Sequence, residues 1–168
     1  ILMNGVVIYD FQKGRYIKVE YIPGQTACSI VHILKERDIP GFMYAIYGQE
    51  MVAYYENLST PAMQDFYDER INRYYKSFER VGSFSDKSGC GSIMYFTMID
   101  DYRRLSEAHA ALKGLIGTDM AFYKDYYSEN LWYLEVFSEN ASKYNAARYL
   151  RETLAFDRVI GFGDNFND

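Results

Sequence analysis

The segment RVIGF, residues 158–162, constrains the fold more than any other stretch, because after its arginine it is apolar on both faces. A strand of this kind is typical of a parallel sheet that helices cover on both sides. The segment follows a predicted helix at residues 143–155. A strand of a parallel sheet needs parallel neighbours, and the only candidate in this sequence is ILMN at residues 1–4. We therefore expect the two ends of the chain to belong to one sheet whose other strands lie elsewhere.

Between the two ends, strand patterns alternate with amphipathic helix patterns. Runs rich in Val, Ile, Tyr and Phe, bounded by turn residues, predict strands at 2–10 (with a turn at Asn4-Gly5), 15–22, 41–47, 51–57, 93–99, 118–127 and 131–137. Apolar residues at helical spacing predict helices at 27–39, 61 to about 80, 102–115 and 143–155. The predicted N-caps are Thr60, Asp100 or Asp101, and Ser142. Helices interleaved with hairpins predict an α+β domain, an antiparallel sheet with helices on one face.

The composition excludes several classes of protein. A hydrophobic content of 49% and a charged content of 24% are typical of a globular protein and not of a disordered chain. The net charge of −5 argues against a general binder of nucleic acid or of anionic membranes. Cys28 and Cys90 lie far apart and in no CxxC pattern, which indicates reduced thiols in a cytoplasmic protein.

Several residues of types that often act in catalysis or binding are predicted to have structural roles in this protein. The 18 tyrosines are expected mainly to pack half-buried sheet faces, and they give only a weak hint of a planar or sugar ligand. His32 and His109 lie in helix patterns and are predicted to be structural or solvated. The arginine pairs Arg70 and Arg73, and Arg103 and Arg104, are expected to be charges on helix surfaces rather than clamps for a substrate. The polar loop from Asp86 to Ser92 is a candidate for closing over a site and selecting a ligand.

The motif GDNFND, residues 163–168, places carboxylates and amides directly after the last predicted strand. In open α/β sheets, ligands bind at the carboxyl ends of the strands. Asp164 and Asp168 lie four residues apart, and hard oxygen ligands of this kind suit Mg²⁺. Mg²⁺ in turn suits phosphate chemistry. Because Gly, Asp and Asn are also common turn residues, an ordinary surface turn is the alternative.

Lys143 lies at the predicted start of the helix that precedes this strand. A helix N-terminus favours phosphate, since its free N–H groups and its dipole attract anions. A lysine at this point is either a solvated surface charge or a phosphate ligand. Its occurrence in one helix–strand unit with the acidic motif favours a phosphate site.

The segment SKYNAARYLRETLAFDRVIGFGDNFND resembles the third and fourth motifs of the haloacid dehalogenase superfamily, in its Cof-like branch, where a lysine near a helix start is followed by a strand and GDxxND. The opening ILMNGVVIYD is similar to the branch's strand-plus-NGA/NGG segment, with Val6 where Ala or Gly is commoner. In that branch this segment precedes a large α/β cap domain.

The resemblance implies an α+β cap domain together with a fragment of a Rossmann-like α/β core. Residues 1–12 would be the end of a core strand and the beginning of the cap. Residues 13–133 would form the cap, which selects the substrate. Residues 134–168 would return to the core with the Lys and GDxxND motifs.

The resemblance also implies roles for single residues. Asp164 and Asp168 would ligate Mg²⁺, and Asp168 would in addition orient the metal shell or its lysine partner. Lys143 would hold the phosphate and offset charge on the nucleophile, and Asn167 would contact the phosphate. Members of the family mostly hydrolyse phosphate monoesters, such as sugar phosphates, nucleotides or cofactor phosphates, through an aspartyl-phosphate.

The family's nucleophile motif, DxDGT, has no counterpart in the sequence. The resemblance therefore predicts an internal piece of a longer phosphatase, inactive alone, whose partner is a small phosphorylated metabolite and neither nucleic acid nor membrane. Its exposed core pieces would offer a surface for oligomerisation. Two alternatives stay open: a non-catalytic α+β binding or interaction module, in which GDNFND is a structural turn, and a relative of the phosphosugar mutases.

Overall fold

The computed structural model describes residues 1–74, 76–88, 91–126, 128 and 130–160. After a 3₁₀ turn at Met3–Gly5, the strands are β1 (Val7–Asp10), β2 (Arg15–Val19), β3 (Phe42–Tyr47), β4 (Glu50–Tyr55), β5 (Ser77–Arg80), β6 (Ile93–Asp100), β7 (Thr118–Lys124) and β8 (Trp132–Ser138). The helices are α1 (Gly24–Glu36), α2 (Pro61–Asn72), α3 (Ser85–Ser88), α4 (Tyr102–Leu112) and α5 (Lys143–Leu154).

Six strands form one mixed sheet in the order β5-β4-β3-β6-β8-β7, while β1 and β2 form a separate hairpin. Neighbours in the large sheet are antiparallel except β4 and β5, which are parallel. The prediction of a purely antiparallel sheet is therefore wrong at this edge. The central strand β6 is buried at seven of its eight positions, because both faces of the sheet are covered there.

The parallel strand β5 occupies residues that the helical pattern assigned to the second helix. That helix ends at Asn72, and residues 77–80 pair with β4 instead. The ring of Phe78 contacts the rings of Phe42 and Tyr67 edge-on, with centroids 5.5 and 5.1 Å apart. The extended conformation is favoured because it places Phe78 in this aromatic cluster.

Side chains alternate between the two faces of the sheet, so each strand contributes to two apolar clusters. On one face α1 and α4 pack their buried residues, including Ile30, Leu34 and Leu105, against the strands. Tyr102, Phe122 and Trp132 form an aromatic group on this same side, with ring centroids 4.8–5.8 Å apart. The opposite face receives α2, the first turn and β1, so helices cover parts of both faces and not one face as predicted.

The three predicted N-caps are confirmed as side-chain acceptors at helix starts. Thr60 accepts from the Met63 N–H of α2, and Asp101 rather than Asp100 caps α4. Ser142 Oγ accepts from the Asn145 N–H at 2.9 Å and so begins α5 at Lys143. Each cap satisfies one of the free N–H groups of its helix.

The chain ends differ from the expected parallel pair of strands. Residues 158–160 form no strand, Val159 and Ile160 are exposed, and the remainder of the predicted strand lies outside the described residues. At the other end Leu2 forms an antiparallel bridge with Val7 across the first turn. The reason is local: Asn4 and Gly5 adopt positive φ angles of 55° and 91°, which fold residues 1–4 back onto β1.

None of the helices in the described part of the chain is long and apolar enough to cross a membrane.

Candidate functional site

A cleft of about 730 Å³ lies on the sheet face that carries α2. Its floor is formed by side chains of the central strands, its wall by α2, and its rim by the first turn and the start of α5. We call this feature the cleft; its floor residues are Tyr44, Tyr95, Thr97, Tyr123, Tyr133 and Glu135, and its edge residues include Asn4, Phe66, Arg70, Asp125 and Lys143.

Successive side chains of a strand point to opposite faces of the sheet, which explains why these polar side chains lie on the same face. Thr97 of β6 lies directly opposite Glu135 of β8, and Tyr133 of β8 lies opposite Tyr123 of β7. The rings of Tyr123 and Tyr133 stack with centroids 5.5 Å apart and an interplanar angle of 9°. The intervening residues Leu134 and Val136 point into the helix-covered core, whereas Tyr133, Glu135 and Phe137 lie on the cleft side of β8.

Glu135 is the centre of a hydrogen-bond network on the cleft floor. Asn4 Nδ2 donates to Glu135 Oε2 at 3.0 Å and to the Tyr95 hydroxyl at 2.8 Å. The hydroxyls of Tyr95 and Tyr123 lie close to the same carboxylate and interact with it. Burial raises the pKa of the Glu135 carboxyl, and the hydrogen bonds and the charge of Arg70 oppose part of that rise.

The tyrosines of the floor are kept protonated by their surroundings. Burial, followed by the charge of Glu135, raises the pKa of Tyr95 and of Tyr123 above the ordinary phenol value. Burial also raises the pKa of Tyr44, and the charge of Arg70 opposes part of that rise. All three hydroxyls therefore act as neutral donors in the cleft.

The first turn packs directly on the start of α5. Gly5 has a φ of +91°, and a Cβ added there would overlap the Ser142 carbonyl and lie 2.8 Å from the Lys143 backbone nitrogen. Only glycine fits such a close approach at this φ. The predicted turn at Asn4-Gly5 is confirmed, and it brings the Asn4 side chain into contact with Glu135 and Tyr95.

The predicted phosphate ligand Lys143 lies at the first position of α5, on the rim of the cleft beside Asn4 and Glu135. A helix start next to an open cleft is suited to an anion. The other predicted site residues, Asp164, Asn167 and Asp168, lie outside the described residues. Among residues 1–74, 76–88, 91–126, 128 and 130–160, no group of three or more His, Cys, Asp or Glu side chains could hold a metal ion.

The two histidines, and the described part of the loop that was a candidate for closing over a site, lie away from the cleft. His32 pairs with Glu36 on the exposed side of α1, and the His109 ring stacks on Phe122 on the helix-covered side. The segment from Asp86 to Ser88 lies in α3, which contacts α1 on that side too, so this part of the candidate closing loop does not border the cleft. Residues 89 and 90 of that loop lie outside the described part of the chain.

Sequence reasoning missed Glu135 and interpreted Arg70, a second charged residue of the cleft, as a surface charge. The guanidinium of Arg70 lies 3.2 Å from the centroid of the Phe66 ring and hydrogen-bonds Glu69 Oε2 at 3.2 Å. Arg70 is one of several charged residues in α2, so no local sequence signal distinguishes it from an arginine on the protein surface. Glu135 could have been found, because it interrupts the apolar run LWYLEVF of a central strand.

The fold is shared with solved structures of low sequence identity. TM0651 from Thermotoga maritima has 23% identity and a TM-score of 0.69, covering 98% of this chain and 57% of that chain. A protein from Eubacterium rectale has 16% identity and a TM-score of 0.70, covering 98% and 58%. BT4131, a HAD subclass IIB sugar phosphatase, has 11% identity and a TM-score of 0.58, covering 92% and 52%. The chain thus spans a little over half the length of these relatives.

No curated protein matches the sequence. A family model for haloacid dehalogenase-like hydrolases, by contrast, matches residues 1–168. The similar solved structures include a HAD/Cof-like hydrolase from Plasmodium vivax, at 15% identity and a TM-score of 0.60 over 90% of this chain and 49% of that one. The resemblance drawn from the two terminal motifs is confirmed: the chain belongs to the haloacid dehalogenase-like hydrolases and has the mixed α/β fold of their Cof-like members.

Proposed function

We propose that this chain is part of a Mg²⁺-dependent phosphatase that hydrolyses a small phosphate monoester, such as a sugar phosphate, a nucleotide or a cofactor phosphate. Membership of the hydrolase family supports the reaction class. BT4131, which shares the fold, is a sugar phosphatase. The observation that carries the proposal is the position of Lys143 at the start of α5 on the rim of a polar cleft.

Lys143 is suited to hold the phosphate end of the substrate. Its ammonium group supplies positive charge, and the N-terminus of α5 adds free N–H groups and the positive end of the helix dipole. The turn at Asn4-Gly5 fixes the backbone at this point, because Gly5 packs against Ser142 and Lys143. The organic part of the substrate would then lie over the cleft floor, away from the reacting phosphate.

The residues proposed to hold the metal are Asp164 and Asp168, with Asn167 on the phosphate. Their carboxylate and amide oxygens fit Mg²⁺, which prefers hard oxygen ligands. When bound, the ion would supply charge that offsets the negative charge of the phosphoryl oxygens. Asp168 would also orient Lys143 or the metal's other ligands.

We propose further that the nucleophile is an aspartate supplied by a part of the protein outside these 168 residues. The sequence contains no DxD motif, and the chain spans 57% of TM0651. In this scheme residues 13–133 act as the substrate-selecting cap, and residues 1–12 and 134–168 belong to the catalytic core. An aspartyl-phosphate would divide the hydrolysis into two displacements.

A phosphate-release assay on the 168-residue chain and on a longer protein that includes the missing core tests this proposal. With Mg²⁺, only the longer protein should release phosphate. Lys143→Ala in the longer protein should lower kcat/KM at least about a hundredfold, because it removes charge stabilisation at the phosphate. Lys113→Ala, a matched change at the exposed end of α4, should have no effect. Release by the short chain, or full activity of Lys143→Ala, would refute the assignment.

The missing DxD motif also favours a second candidate, a non-catalytic α+β binding module. This candidate predicts ligand binding that is independent of Mg²⁺ and unchanged by Asp164→Ala. Product analysis in the same assay separates hydrolysis from the third alternative, a phosphosugar mutase, which would return an isomeric phosphate ester instead of free phosphate.

A further inference from the structure

The proposed chemistry at Lys143 does not explain why a partly buried carboxylate lies at the centre of the cleft floor. Glu135 is flanked in sequence by Leu134 and Val136, which are fully buried in the core of the opposite face. Placing a charged group in such a position is costly unless it is hydrogen-bonded. The Asn4 amide of the first turn donates to this carboxylate, and the hydroxyls of Tyr95 in β6 and Tyr123 in β7 interact with it.

The Asn4 amide that donates to Glu135 is neutral, and so are the neighbouring hydroxyls of Tyr95 and Tyr123. They hold the carboxylate in place without neutralising its charge. A carboxylate has roughly four acceptor positions, so these groups leave it able to accept a further hydrogen bond. Arg70 acts on it through charge, but its guanidinium is hydrogen-bonded to Glu69 and lies on the Phe66 ring.

We propose that Glu135 is a specificity-determining residue, whose carboxylate accepts a hydrogen bond from a hydroxyl of the substrate. The substrate class is then a phosphate ester whose organic part is a neutral polyol, with its phosphate at Lys143 and its hydroxyls on the cleft floor. This inference rests on the proposed function for the position of the phosphate. The hydroxyls of Tyr44 and Tyr133 on the same floor offer further partners to a polyol.

The chemistry around Glu135 disfavours two neighbouring classes of substrate. An anionic organic group would lie against the Glu135 carboxylate and be repelled. An aromatic ester without hydroxyls would cover Glu135 and leave its free acceptor position unpaired, which weakens binding.

Isothermal titration of the 168-residue chain with three esters tests the proposal. The probes are glucitol 6-phosphate (neutral polyol), phenyl phosphate (no hydroxyl) and 6-phosphogluconate (anionic). Glucitol 6-phosphate should bind most tightly. Glu135→Gln should weaken it about tenfold or more, because a hydrogen bond to a charged group is lost, and should change phenyl phosphate less than about twofold.

Two further variants keep the test decisive. Tyr123→Phe removes a hydroxyl that interacts with the carboxylate from a partly exposed position and should also weaken the binding of glucitol 6-phosphate, so the proposal does not depend on the folding of Glu135→Gln alone. Glu107→Gln makes the same charge change on the exposed side of α4 and should leave all three affinities unchanged.

Several results would overturn the assignment. These are phenyl phosphate or 6-phosphogluconate binding as tightly as glucitol 6-phosphate, or unchanged affinity for glucitol 6-phosphate in Glu135→Gln and Tyr123→Phe. If the longer protein hydrolyses esters but Glu135→Gln discriminates as the wild type does, only the specificity role fails. If the longer protein hydrolyses none of them and inorganic phosphate does not bind the chain, the proposed function fails with it.

Discussion

Gly5 and Ser142 are in direct backbone contact, although 136 residues separate them in the sequence. The contact leaves no room for a Cβ at Gly5 and holds the first turn against the start of α5. It therefore joins the two segments that resemble family motifs at the two ends of the chain. The position of Lys143 on the rim of the cleft depends on this contact.

Replacing Gly5 by Ala should destabilise the protein strongly. The residue has a positive φ, and its Cβ would overlap Ser142, so strain and overpacking add to about 2–5 kcal/mol in the free energy of unfolding. Urea denaturation measures the loss. Gly48→Ala is the control, because Gly48 also has a positive φ of 63° but has open space around it; it should lose only about 1 kcal/mol. Equal losses at the two positions would show that the close contact does not matter.

Replacing Phe78 by Ala tests the pairing of β5 with β4. The ring contacts Phe42 and Tyr67 and is partly buried, so its loss should lower the free energy of unfolding by about 1–3 kcal/mol. Glu79→Ala changes the next, exposed residue and should cost less than about 1 kcal/mol, since its ion pair with Lys87 lies at the surface. If the two variants are equally stable in urea, Phe78 does not anchor the strand.

Stability should depend on pH through Glu135. Burial raises the pKa of this carboxyl in the folded protein above its ordinary value of 4.5. Its contribution to stability is therefore complete below that ordinary value and is lost as pH rises through the raised pKa of the folded state. The stability of Glu135→Gln relative to wild type should rise over this interval. Urea denaturation at several pH values measures it, and Glu107→Gln should show no such trend. A difference independent of pH would contradict the raised pKa.

Asp164→Asn in the longer, active protein tests the proposed metal ligand. Loss of one carboxylate ligand should weaken the Mg²⁺ affinity and lower the rate of phosphate release at least about a hundredfold. Rates measured over a range of Mg²⁺ concentrations, together with direct titration of the ion, separate a weakened affinity from a slower reaction. Asp157→Asn removes a charge seven residues earlier in an exposed position and is the matched control. An unchanged Mg²⁺ dependence in Asp164→Asn would exclude it as a ligand.

Sequence patterns predicted those parts of the fold that local signals determine. The hairpin of β3 and β4 follows from two β-rich runs around Gly48, and the starts of α2, α4 and α5 follow from capping residues. These features depend on a few adjacent residues. The strand β5 could not be predicted in this way, because its extended form depends on contacts between Phe78 and rings of other elements.

The cleft was harder to predict than the strands that form it. Lys143 was identified as a candidate phosphate ligand because a lysine near the start of a helix is part of a family motif. Glu135, Tyr95 and Asn4 come together only through the strand order β3-β6-β8-β7 and the fold-back of the first turn. The strand order cannot be predicted from patterns of adjacent residues, so the polar floor of the cleft could be recognised only from the structure.

The aromatic group of Tyr102, Phe122 and Trp132 has a practical consequence. Trp132 is the single tryptophan of the sequence, and it lies on the opposite side of the sheet from the cleft. Its fluorescence emission therefore reports the docking of α4 and the integrity of β8. A ligand that enters over Glu135 leaves that indole environment untouched, so an emission change on titration would signal a rearrangement of the sheet itself and not simple occupancy.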